Sequence, residues 1–166
     1  MAPQSSDGAP GALWLIRGVR PLMRVLIATA AMVLIVGPRV HAVECTLDDQ
    51  QWIDDELPRL KSWSSIYESY RAYTPQCDDG FLAEGYTEAV VKMLSARWVT
   101  VHELARLARR DPAFRRFVLK HVDASGDPGD LRKVLTKATR HCPRKLGGLC
   151  ASLATAAKAA LEQVKG

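Results

Sequence analysis

No stretch of this 166-residue chain alternates apolar and polar residues for long enough to make a convincing strand. A membrane-spanning helix needs about 20 apolar residues, and the candidate run, Val25 to Gly37, has thirteen. A Gly-rich phosphate loop, a G-x-S-x-G elbow and an H-E-x-x-H motif are all missing. These absences argue against sheet folds, against a membrane span and against the enzyme classes that carry those short signatures. Eleven glycines and nine prolines are too few for a fibrous chain. With 48% hydrophobic and 25% charged residues, the composition is that of a folded domain rather than a disordered one.

The chain is uneven, and its first 42 residues read as a leader. Arg17, Arg20 and Arg24 precede the uncharged run, and Val40-His41-Ala42 closes it with a small residue. That order is the pattern of a cleaved secretory signal peptide. Met23 directly before Arg24 would start a signal of ordinary size, and translation is expected to begin there. Glu44 before Cys45 does not fit a lipoprotein signal. Residues 43–166 are therefore expected to act outside the cytoplasm, periplasmic or secreted. All four cysteines, Cys45, Cys77, Cys142 and Cys150, lie in that part. An even count in an exported chain favours two disulfides over free thiols or zinc.

Period-3.6 apolar stripes recur through residues 43–166, separated by helix punctuation. Thr46 to Glu56 is a short acidic segment ended or bent by Pro58. Leu60 to Tyr73 carries Trp63, Ile66, Tyr67, Tyr70 and Tyr73 at helical spacing. Asp78 or Asp79 is placed to cap the next helix, with its stripe of Leu82, Tyr86, Val90 and Leu94. Thr100 with Glu103 has capping-box spacing. Asp111-Pro112 and Asp127-Pro128 each set an Asp N-cap before a proline that loses no hydrogen bond at the first helical position. An Ala-rich helix over about Leu149 to Val164 ends the chain. The fold class expected is all-α: one compact domain, residues 43–166, of six or seven short helices tied by two disulfides. At that size the chain can bury roughly two-thirds of its unfolded surface, enough for one core.

Three cysteine pairings are possible in principle. Cys142 and Cys150 are close enough in sequence to tie the corner of a helical hairpin. If Thr46 to Tyr73 were one straight helix, Cys45 and Cys77 would lie about 40 Å apart, far beyond the roughly 7 Å a disulfide tolerates. A turn near Pro58 would bring them together. The 45–77 with 142–150 pairing is favoured.

Chemistry-bearing residues are sparse. Asp123-Ala-Ser-Gly-Asp127-Pro-Gly-Asp130 resembles a calcium loop until its sixth and twelfth positions, Pro128 and Val134, where an EF-hand needs Gly and Glu. A turn followed by an N-cap is the expected reading. His102, His121 and His141 have no helical metal spacing, so no metal and no cofactor are expected. His121 is placed to face the core near Phe117 and Val118. No catalytic set stands out. An enzyme would have to draw its acid and base from Asp79, Glu84 and Glu88, of which Glu84 and Glu88 share one helical face. Capping and solvated helix faces explain those residues as well.

Charge distribution is the stronger signal. The whole chain carries +5, but the leader's arginines account for most of that, and residues 43–166 carry +2. Residues 43–88 hold eleven acids against three bases, and residues 89–166 hold sixteen bases against six acids. The simplest expectation is that the two segments neutralise each other across the fold. The alternative is an acidic face that steers a cationic protein partner. Trp52, Trp63, Tyr67, Tyr70 and Tyr73 lie in the acidic segment and are the candidate partner-binding residues, since Trp and Tyr anchor interfaces. A helical aromatic stripe is more often a core signature. Arg106, Arg109, Arg110, Arg115, Arg116 and Lys120 form basic helix faces, with anionic lipid or cell-wall polymer as a secondary possibility and nucleic acid excluded by compartment.

Together these features point to an exported, non-catalytic helical module that binds a protein, in a bacterial periplasm. An inhibitor or immunity-type protein acting on a cell-wall-degrading enzyme is one concrete form. A small all-α enzyme using carboxylates and a structural envelope component are the rival readings.

Overall fold

The computed structural model describes residues 45–74 and 76–165. The leader and the proposed start at Met23 lie outside the described residues. Among these residues the regular structure is entirely helical: α1 (Leu47–Glu56), α2 (Trp63–Tyr73), α3 (Gly80–Ala96), α4 (Val101–Arg110), α5 (Pro112–Lys120), α6 (Pro128–Arg140) and α7 (Gly147–Gln163). Short 3-10 turns over Leu57–Arg59 and Trp98–Thr100 link α1 to α2 and α3 to α4.

Local chemistry sets these boundaries. Thr46 and Ser62 build capping boxes at the starts of α1 and α2, each accepting from the backbone N–H three residues on. Asp111 accepts from the backbone N–H of Ala113 and Phe114, and Asp127 from that of Asp130, so both Asp-Pro pairs open helices. The box expected at Thr100 and Glu103 does not form. Thr100 Oγ1 instead accepts from the Trp63 indole at 3.0 Å and donates to the Arg97 carbonyl, while Glu103 accepts from Ser64. A tertiary donor 37 residues away has displaced the local one.

Pro58 sits in the 3-10 turn that folds α2 back beside α1. That reversal closes Cys45–Cys77, with Cα atoms 5.0 Å apart. Cys142–Cys150 ties the corner between α6 and α7, which form the most extensive helix pair. Leu131 and Val134 of α6 and Leu153 and Ala157 of α7 are completely buried there. α3 runs through the middle of the fold, with contacts to α1, α2 and α6. Its stripe of Leu82, Tyr86, Val90 and Leu94 is buried, as is Phe114 of α5. The periodicity of the sequence marks this core in α3, whereas at the end of the last helical stripe Val164 is 45% exposed.

The aromatic residues of the first segment divide. Trp63 is fully buried, so it belongs to the core and cannot touch a partner. Tyr67 and Tyr70 are half-buried against Phe114, and Tyr70 also against Phe117. Trp52 remains 49% exposed, packed against Tyr73 with ring centroids 4.7 Å apart and the planes tilted by 32°.

Candidate functional site

A groove of about 920 Å³ lies between α1 with its following turn, α3, and the chain entering α6. Leu57, Leu60, Ala89 and Val91 supply apolar lining, and Phe81, 54% exposed, stands at its edge. Carboxylates reach it from three elements: Asp54 of α1, Glu84 and Glu88 of α3, and Asp127 and Asp130 at the start of α6. Lys61 and Lys92 are the cations in the lining. Lys92 lies 3.6 Å from Asp130, which Lys133 also contacts at 2.8 Å. The Lys133 hydrogen bond holds the Asp130 carboxyl below the ordinary carboxylate range, and the charge of Lys92 adds to it. Asp54, Glu84 and Glu88 are exposed and form no ion pair among the described residues.

Two glycines shape the walls. At Gly85 a Cβ would run into the Leu57 side chain, so the absence of one lets the 3-10 turn lie on α3. A Cβ on the buried Gly126 would meet Val91 Cγ2 at 3.2 Å and Thr87 Cγ2 at 3.5 Å. The turn over residues 123–127 is thus seated on α3.

Behind that turn lies a polar network. His121 is completely buried, as its position near Phe117 suggests, with the two rings 4.4 Å apart. Its Nδ1 is 3.1 Å from Thr87 Oγ1, and Thr87 Oγ1 also donates to Asp123 Oδ2 at 3.3 Å. His121 Nε2 lies 2.9 Å from Asp78 Oδ1. Neither of those two atoms has a well-aligned hydrogen bond, so the contact is close without being directional. Lys120 Nζ binds the other Asp78 oxygen at 2.7 Å. Burial pushes the Asp78 carboxyl up, but His121 and Lys120 outweigh burial and hold it below the ordinary range. On the far side, Asp123 Oδ1 accepts from Ser125 N at 2.9 Å and Ser125 Oγ at 2.6 Å.

The residues singled out by sequence are only partly assembled here. Glu84 and Glu88 line the groove together, whereas Asp79 is the N-cap residue of α3 without a side-chain cap bond and lies outside it. Both glutamates face solvent, so neither has the dry surroundings that separate a catalytic acid from its base. Trp52 precedes Asp54 by two residues on α1, which sets it on the other side of that helix from the groove. Asp78, Thr87, Gly126 and Asp130 carried no sequence signal beyond capping and turn chemistry. Among the described residues no group of His, Cys, Asp and Glu is placed to hold a metal ion.

Direct pairing between the acidic and the basic segment is confined, among the described residues, to one carboxylate. Among the described residues, Asp78 is the one acid of the first segment in ion-pair contact with the basic one. Arg106, Arg109, Arg110, Arg116 and Lys120 are exposed, while Arg115 is half-buried and donates to Gly148 O and Ser152 Oγ of α7. Nor does any helix among these residues have the length and apolarity to cross a membrane.

No family model matches the chain, and no curated protein or solved structure matches it significantly. The reading of function rests on this geometry alone.

Proposed function

We propose that the protein is an exported, non-catalytic binding module whose groove takes a cationic, partly apolar segment of a partner protein. One observation carries the reading. Asp54, Glu84 and Glu88 converge from two helices on an apolar-lined groove without an ion-pair partner among the described residues. Unpaired, solvated carboxylates around apolar surface suit lysine and arginine side chains, whose aliphatic stems lie on the lining while their heads meet the acids. Two disulfides among the described residues agree with an exported chain. An inhibitor of a basic cell-wall-degrading enzyme is one form this module would take.

Affinity capture from periplasmic and secreted extracts tests it, using the oxidised protein beside Glu84→Lys/Glu88→Lys and Trp52→Ala variants. A stoichiometric basic partner is expected with the wild type and with Trp52→Ala, and none with the lysine pair. Retention by the lysine pair would move the interface off the groove. Loss with Trp52→Ala alone would place it on the Trp52–Tyr73 pair instead. If no basic protein is captured by any form, the binding reading fails.

A further inference from the structure

Resting on the groove as the binding site, we infer that His121 controls the groove wall through a single hydroxyl proton, that of Thr87. Thr87 has one O–H to give, and two groups compete for it: Asp123 Oδ2 at 3.3 Å and His121 Nδ1 at 3.1 Å. Asp123 is a carboxylate and only accepts. His121 accepts at Nδ1 only when that nitrogen is bare.

The other face of the ring decides which state holds which bond. Nε2 sits 2.9 Å from Asp78 Oδ1, and a lone pair there would face a negative oxygen, so Nε2 keeps its hydrogen in both states. With the imidazole charged, Nδ1 also carries hydrogen and donates to Thr87 Oγ1. The Thr87 proton then goes to Asp123. With the imidazole neutral, Nδ1 is bare and takes the Thr87 proton, and Asp123 loses its bond to α3. Asp123 organises the 123–126 turn through Ser125 N and Oγ, and Ser125, Gly126 and Asp127 form the groove wall. Protonation of His121 therefore braces that wall against α3, and deprotonation releases it.

The groups facing His121 fit this arrangement. Asp78 comes from the α2–α3 connection and Asp123 from the chain after α5. Lys120, on α5, neutralises the second Asp78 oxygen at 2.7 Å. Tyr86 of α3 lies with its ring 5.7 Å from the imidazole, and its hydroxyl is engaged by Ser69 of α2 at 2.7 Å. Phe117 covers the remaining face. Asp78 supplies the counter-charge, and Thr87 is the branch point.

The sign of the effect separates this device from ordinary titration. Proton uptake on lowering pH makes a protein surface more positive, which by itself weakens binding of a cation. A wall braced by His121 strengthens it.

The test has two arms, both on the oxidised protein. In the first, NMR follows the His121 imidazole and the Ser125, Gly126 and Asp127 amides through a pH series from about 5 to about 8. The amides are expected to shift in step with the imidazole and to lose exchange protection as it deprotonates. In Thr87→Val, which keeps the methyl group against Gly126, the imidazole should still titrate while the amides no longer follow. Wild-type amides that ignore the imidazole would overturn the inference without any variant. In the second arm, a synthetic alternating lysine–leucine peptide is titrated at both ends of that range. Affinity roughly threefold or more tighter at the lower pH is expected, the factor being the change in competent population, with the difference gone in Thr87→Val. Equal or weaker binding at the lower pH would overturn control of the groove. A peptide that fails to bind at either pH would instead count against the groove as a cation site, and the amide titration would still decide whether the hydroxyl switches.

Discussion

The Trp63 indole N–H donates to Thr100 Oγ1 at 3.0 Å, across 37 residues of sequence. This bond anchors the fully buried ring of α2 to the 3-10 turn before α4. It also explains why Thr100 does not cap its own helix. Thr100→Val keeps the shape of the side chain and strands the indole donor in the core. It is expected to cost about 1–3 kcal/mol, the penalty of a buried unpaired donor, read from urea unfolding. A cost below about 0.5 kcal/mol, the usual surface range, would mean that water replaces the threonine.

Asp78 makes stability depend on acid. Its folded carboxyl is held below the ordinary range, so its contribution is complete above the unfolded value of about 3.9. The contribution is lost as pH falls through the depressed folded value. Asp78→Asn is expected to lose about 2 kcal/mol near neutrality, as for a hydrogen-bonded charge. The gap between variant and wild type should close below about pH 4. Urea midpoints measured across that window check it, and a gap constant with pH would remove Asp78 as the source.

The two disulfides should differ in value. Cys45–Cys77 closes 32 residues and Cys142–Cys150 closes 8. Loop-closure entropy then gives about 3.7 and about 2.5 kcal/mol respectively. Paired serine substitutions at each bridge, compared by denaturation, should rank in that order. The reverse order would show that residual structure in the unfolded chain, not loop length, sets the difference.

Gly80 begins α3 with φ of 50°, a left-handed conformation that an L side chain resists. Apart from its chain neighbours and its own helix backbone, no described atom lies within 4 Å of where its Cβ would be, so tertiary crowding plays no part. Gly80→Ala is expected to lose about 1 kcal/mol from backbone strain alone, measured by thermal or urea unfolding. An unchanged stability would mean that the turn relaxes out of the left-handed region.

Much of the fold is legible in local sequence because its determinants are local. Asp111 and Asp127 open their helices through neighbours two or three residues away. Pro58 marks the reversal that makes the 45–77 pairing reachable. Features fixed by distant partners are not legible in this way. The spacing of Thr100 and Glu103 predicts a cap, yet Trp63 and Ser64 claim their oxygens. Asp78 reads as a capping residue beside Asp79, and only the folded chain brings it to His121, in a contact that no periodicity encodes. Thr87 looks like one polar residue on a helix, because its two partners follow it by 34 and 36 positions. The groove is half legible: the spacing of Glu84 and Glu88 puts them on one face, but Asp54 and Asp130 join them only through packing.

Asp78 is the residue after Cys77, so the covalent bridge and the ionic contact share one stretch of backbone. Opening Cys45–Cys77 therefore does more than enlarge the unfolded ensemble. It frees the strand of chain that carries the counter-charge of a completely buried imidazole, and His121 is left to face the core with Lys120 as its near neighbour. Oxidation state and protonation state are thus written into adjacent residues, and a reducing compartment would unsettle the histidine before any acid or base reached it.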